Sequence, residues 1–111
     1  MNYKIEVTAK FEREVRKLSK KHKSLLVDLI AFRDQLRNDP TQGASLGKDC
    51  YKIRLAISSK GKGKRGGSRV ITCVKVIQET VYLLAIYDKA ERDTVSDNEL
   101  DDMLNEAGLG I

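Results

Sequence analysis

The apolar residues of this chain change their spacing partway along it. From Phe11 to Leu36 they recur every three or four residues, and from Tyr51 to Ile57 every second residue. Asn38-Asp39-Pro40, which holds the only proline, stands between the two regimes and stops any helix that reaches it. A spacing of three to four lines up side chains on one stripe of a helix; a spacing of two lines them up on one face of a strand. A chain that does first one and then the other must lay helices on a sheet, an α+β arrangement.

The remaining elements follow from the same rules. Tyr3, Ile5 and Val7 alternate with polar neighbours as a short first strand. Thr8 is placed to cap a helix whose apolar stripe is Phe11, Val15 and Leu18. Ser24 is placed to cap a second, through Leu26, Leu29, Ile30, Arg33 and Leu36; the short break from Lys20 to Lys23 makes the two an antiparallel hairpin. Thr41 to Asp49 reads as a loop around Gly43 and Gly47. Tyr51, Ile53, Leu55 and Ile57 then point to one face of a strand, with Lys52, Arg54 and Ala56 on the other. The loop SSKGKGKRGGS leads to a strand from Ser68 to Ile77, a turn at Gln78-Glu79-Thr80, and a strand from Val81 to Tyr87. Lys89 to Val95 is polar and loop-like. Ser96 and Glu99 form a capping box for a last helix with Leu100, Met103, Leu104 and Ala107 on its stripe, ended by Gly108 and Gly110. The order is β-α-α-β-β-β-α in one domain spanning residues 1–111: an antiparallel meander, the first strand at its edge, and the helical hairpin on one face.

Charge separates along the chain. Between Cys50 and Gln78 stand Lys52, Arg54, Lys60, Lys62, Lys64, Arg65, Arg69 and Lys75 with no acid among them. Between Asp88 and Glu106 eight acids face only Lys89 and Arg92. A basic centre of this kind attracts a polyanion by Coulomb steering and counterion release, although a charge run also reads as a solvated surface. With 41% hydrophobic and 33% charged residues the chain has the composition of an ordered domain. No stretch is apolar enough for a membrane span, and MNYKIEVTAKFEREV holds no signal-peptide core, so the reading is cytoplasmic, with Cys50 and Cys73 as reduced, buried thiols. Two cysteines and one histidine lack the spacing of a metal site, and no cofactor is implied; His22, among lysines in the turn between helices, reads as exposed and inert.

Lys52 and Arg54 are the best-placed cations, because their apolar neighbours fix the strand that carries them; the alternative is a solvated sheet face. Arg69 opens the next strand, at a register that sequence leaves open. Lys60, Lys62, Lys64 and Arg65 lie in a glycine-rich loop suited to phosphates, or equally to a flexible hairpin tip. Tyr87, at the end of its strand, is the aromatic best placed for a ligand, and Tyr51 reads as core. Such a surface is able to cut RNA, whose 2′-hydroxyl is its own nucleophile: clustered cations stabilise the charged intermediate, and a lysine crowded by cations becomes a proton acceptor.

Tyr51-Lys52-Ile53-Arg54, the string SSKGKGKRGGSRVI from Ser58 to Ile71, and VYLLAIYDKAERDTVSDNEL from Val81 to Leu100 resemble the RelE/HigB branch of bacterial type II toxins, and the likeness extends over nearly the whole chain. The resemblance implies a ribosome-dependent mRNA endonuclease, acting without metal in the A site, leaving a cyclic phosphate, and held inactive by a cognate antitoxin. By position it implies catalytic roles for Lys52, Arg54, Arg69 and Lys89, and contacts to ribosome or RNA from Lys60, Lys62, Lys64, Arg65 and Tyr87. Two positions depart from the family pattern. Ala90 stands where the best-known members have an arginine, and about Ser96 replaces a tyrosine proposed for catalysis. Lys64 or Arg65 then become candidates for the missing acid or base. Three function classes follow: the RNA-cleaving toxin, a ParE-like toxin that binds gyrase, and a non-catalytic ribosome- or nucleic-acid-binding module.

Overall fold

The computed structural model describes residues 2–61 and 63–110. The elements run β1 (Lys4–Val7), α1 (Ala9–Ser19), α2 (Leu25–Asn38), β2 (Ala44–Gly47), β3 (Cys50–Leu55), a 3-10 turn at Ser58–Lys60, β4 (Ser68–Lys75), β5 (Thr80–Asp88) and α3 (Asp97–Glu106). One sheet holds the five strands in the order β1-β5-β4-β3-β2. β3, β4 and β5 form the expected antiparallel meander. β1 takes the edge beside β5, parallel to it, with Ile5 opposite Val81. Parallel neighbours need a long connection, and everything from α1 to β4 supplies it.

Three details differ from the sequence reading. The segment read as a loop from Thr41 to Asp49 contains β2, which pairs antiparallel with β3 through a two-residue turn. Lys48 and Asp49 both take positive φ, 56° and 63°, as a tight hairpin turn requires. Neither is the glycine that usually marks such a turn, and β2 is a largely exposed edge strand of four residues, too short for a pattern to reveal it. Next, β4 ends at Lys75 rather than Ile77: Val76 and Ile77 sit in the turn to β5, with Ile77 fully exposed. Finally, α2 buries Leu25, Phe32 and Leu36, while Leu26, Val27 and Ile30 lie exposed. Leucine, valine and isoleucine occur on several sides of this helix, so period alone cannot choose among them.

Each face of the sheet has its own core. On one, Phe11 and Leu18 of α1 and Leu25, Phe32 and Leu36 of α2 pack on Ile53, Leu55, Val70, Val74, Val81, Leu83 and Ile86. A buried phenylalanine such as Phe32 contributes about 2–3 kcal/mol by the apolar surface it removes from water. The Thr8 side chain caps α1, accepting from the Phe11 N–H. Ser24 stands at the start of α2 but makes no cap hydrogen bond; its hydroxyl binds Asp28 and Ser59 instead. On the other face, Leu100, Met103 and Leu104 of α3 cover Cys50, Ile71, Cys73, Leu84 and Ala85. A bulge in β5 helps here: register slips between Ile71 and Thr72, so Leu84 and Ala85 both serve this core. Cys50 and Cys73 are free, buried and directly opposite each other. Their mutual hydrogen bond, with burial, pushes the Cys50 thiol well up. No helix among the described residues is long and apolar enough to cross a membrane.

Candidate nucleic-acid interface

Strand register decides which cations meet. Arg54 of β3 lies directly opposite Arg69 of β4, and Arg69 lies opposite Tyr87 of β5. These three side chains therefore cross the sheet in one row, on the face that carries α3. Lys52 stands two residues along β3 on the same face. α3 covers the far end of this face, over Cys50 and Cys73. The near end is bounded by two loop segments, 63–67 and 89–95.

Arg69 joins those loops. It is 1% exposed, and each nitrogen of its guanidinium has a partner. Nε donates to Asp93 Oδ1 at 3.0 Å, one terminal nitrogen to the Lys64 and Ser68 carbonyls at 3.0 and 3.1 Å, and the other to the Arg65 carbonyl at 3.3 Å. A planar, always-charged group with five donors suits a site where several acceptors converge. Arg69 thus forms the base of the cluster and fixes the backbone of both loops, rather than standing free.

Arg54 is exposed, and the Lys52 ammonium, on a side chain 19% exposed, lies 3.8 Å from Asp93 Oδ2. Lys64 and Arg65 project from the loop whose carbonyls Arg69 holds. Lys89 is half-buried, and its N–H donates to the Gly67 carbonyl at 3.0 Å. Gly67 must be glycine, because a Cβ there would meet the Leu55 carbonyl oxygen at 2.1 Å. Lys52, Arg54, Arg69 and Lys89 are therefore brought together with Lys64 and Arg65 at the rim. Lys62 lies outside the described residues.

Three residues sit differently from the expectation. The Lys60 ammonium turns inward and pairs with Asp88 Oδ1 at 2.8 Å, its side chain only 13% exposed. Asp88 also receives the Ala90 N–H and lies 3.0 Å from His22 Nε2. His22 is thus mostly covered and engaged, not an exposed turn residue, and the node pins the turn between α1 and α2 to the root of the basic loop. Burial pushes the Asp88 carboxyl up, but hydrogen bonds from Lys60, Ala90 and His22 outweigh it and hold the carboxyl down at about 2. Tyr87, expected to meet a ligand, is 6% exposed. Its hydroxyl donates to the Asp93 carbonyl, and the Arg92 guanidinium covers its ring at 4.9 Å from the centroid. The burial pushes its hydroxyl pKa up.

Asp93 and Arg92 are the members that sequence reasoning missed. Both fall in the acidic tail region, and only the return of the loop after β5 brings them to the cations. Burial pushes the Asp93 carboxyl up; the Arg69 hydrogen bond and the charges of Lys52, Arg69 and Lys89 more than offset it and leave it below the usual carboxylate range. No local sequence signal marks either residue.

Known proteins share this architecture. A double arginine-to-alanine mutant of Escherichia coli toxin RelE in the free state superposes with a TM-score of 0.59 at 19% identity, over 97% of this chain and 96% of that one. The RelBE2 toxin–antitoxin complex from Mycobacterium tuberculosis gives 0.58 at 17% identity, over 79% and 99%. The same E. coli mutant in complex with an antitoxin RelB peptide gives 0.51 at 21% identity, over 92% and 95%. At these identities the likeness shows the fold. The family model of the RelE toxin of the RelE/RelB toxin–antitoxin system matches residues 3–109. With that match over nearly its whole length, the chain belongs to the RelE toxin family.

Proposed function

We propose that this toxin inhibits translation by cutting mRNA on the ribosome, in the cytoplasm, and that a cognate antitoxin silences it. The observation that carries the reading is the row formed by Arg54 and Arg69 across the ladder, with Lys52 beside it. A surface with that density of fixed cations is suited to hold a phosphodiester and to stabilise the extra charge as the 2′-hydroxyl attacks. The proposed division of labour follows from exposure. Arg54 and Lys52 meet the phosphate, Lys64 and Arg65 add charge at the rim, and Arg69 positions the loops from below while its Nε edge, on Asp93, adds charge to the site. Proton transfer falls to Lys52 or to a rim cation, since Ala90 and Ser96 occupy the places where other members carry functional side chains. The chemistry needs no bound metal.

The antitoxin follows from the family and from structural relatives held in complex with an antitoxin or an antitoxin peptide. An acidic segment that folds on contact is the partner best matched to this basic face.

Expression of the protein in growing bacteria tests the activity. Growth arrest with new mRNA 5′ ends inside translated frames supports it. Lys52→Ala and Arg54→Ala relieve the arrest while remaining soluble, each losing on the order of a hundredfold in cleavage rate. Arrest that persists undiminished in both soluble variants rejects the site; arrest with unbroken mRNA rejects the activity.

A further inference from the structure

The loop between β5 and α3 returns one carboxylate to the cations. Asp93 Oδ1 takes the Arg69 Nε–H at 3.0 Å, and Oδ2 faces the Lys52 ammonium at 3.8 Å. Exposure is uneven across the group: the cation side chains are 2% and 19% exposed, whereas that of Asp93 is 51% exposed. The other guanidinium nitrogens of Arg69 are held by backbone carbonyls, so Nε is the one that a carboxylate holds. The backbone carrying Asp93 is fixed separately, by the Tyr87 hydroxyl on its carbonyl. The carboxylate is therefore able to rotate toward water without unfolding the loop. Its two oxygens, set against a guanidinium and an ammonium, match the two non-bridging oxygens of a phosphodiester in charge and in acceptor chemistry.

We propose that Asp93 is a resident counter-anion in an oxyanion seat made by Lys52 and Arg69, and that an RNA phosphate enters that seat by displacing it. This rests on the RNA-directed reading and adds a source of selectivity to it. A resident anion weakens binding of every phosphate alike. RNA free in solution competes poorly against it, whereas mRNA held beside the toxin at high effective concentration prevails. Asp93 is thus a specificity residue that disfavours cleavage away from the ribosome, at the expense of some affinity.

Asp93→Asn removes the charge and keeps an oxygen for Arg69 Nε; Asp93→Ser is a second, smaller neutral replacement. Glu12→Gln, on exposed α1 on the opposite face of the sheet, changes net charge equally and serves as control. The purified full chains are titrated with a fluorescently labelled short single-stranded RNA, without ribosomes, over a range of salt. Both Asp93 variants are expected to bind about fivefold more tightly than wild type at low salt, and Glu12→Gln much less so. The slope of log affinity against log salt should steepen by about 0.7, one further counterion equivalent on a single strand. Affinity equal to or below that of the control, in whichever Asp93 variant melts as a folded protein, overturns the proposal. The measurement is independent of cleavage. A wild type that fails to cut mRNA on ribosomes counts against the proposed activity, and unchanged RNA affinity counts against the seat.

Discussion

Lys52, Arg54 and Arg69 bear the same charge on the same face, yet their surroundings assign them different work. Arg54 is open, and the Lys52 ammonium faces only the Asp93 carboxylate, so truncating either removes few contacts. Arg69 is buried and holds three carbonyls and a carboxylate. Arg69→Ala leaves those acceptors short of donors and is expected to cost about 2–3 kcal/mol of stability as well as activity. Urea unfolding separates the cases: midpoints near wild type for Lys52→Ala and Arg54→Ala, and a clear drop for Arg69→Ala. Equal midpoints for all three would remove Arg69 from its positioning role. Asp88 makes a second prediction. Its folded carboxyl titrates at about 2, below the ~3.9 of a free aspartate. A depressed folded value means that the stabilisation is present above about pH 4 and drains as pH falls toward 2; at neutral pH it is on the order of 2 kcal/mol. Asp88→Asn should lower stability at pH 7 and flatten its loss between pH 4 and 2, read by unfolding at a series of pH values. An unchanged acid limb would mean that the His22–Asp88–Lys60 node contributes nothing. Alternation alone exposed Lys52 and Arg54. The inward turn of Lys60 and the engagement of His22 were not legible, because their shared partner Asp88 lies 66 positions from His22 and 28 from Lys60.

At the scale of elements, legibility followed the strength of local signals. The strands β3, β4 and β5 carry alternation or β-branched runs, and α3 carries its own start signal. In α3 the Ser96 side chain accepts from Glu99 N while the Glu99 side chain accepts from Ser96 N, the capping box read from sequence. Arg92 pairs with Glu99 and, with the Ser96 N–H, holds its carboxyl down at about 2. Ser96→Ala is expected to cost about 1 kcal/mol, a fall of about 5 °C in Tm for a chain of this size, without moving strand-borne cations. A fall in Tm is the expected calorimetric result; none would mean that α3 is held by its apolar stripe alone. The faces of α2 and the existence of β2 were hidden for different reasons. α2 has apolar residues on too many sides, and β2 is only four residues long, with Ala44 and Leu46 its apolar members. Only packing against the sheet selects Leu25, Phe32 and Leu36, and only pairing with Lys52 and Tyr51 makes residues 44–47 a strand.

Across the whole molecule, the net charge of +5 is less informative than its placement. The acid-free stretch from Cys50 to Gln78 forms β3, β4 and the loop between them, and the acidic segment after Asp88 forms α3 and the loop before it. Folding brings one acid of that segment, Asp93, into the basic cluster. The charge segregation was plain in the sequence; its local exception, the pairing of Asp93 with Lys52 and Arg69, was not. In the proposed function, this cluster cuts mRNA only where a ribosome presents it. The direct measurement maps 5′ ends on one defined mRNA, incubated with the purified toxin either naked or under translation in a reconstituted system. Cuts are expected at codons in the ribosomal A site, with none at comparable toxin concentration on naked mRNA, and those cuts are lost with Lys52→Ala. Equal cutting of naked and translated mRNA, or arrested translation with the mRNA intact, would contradict it.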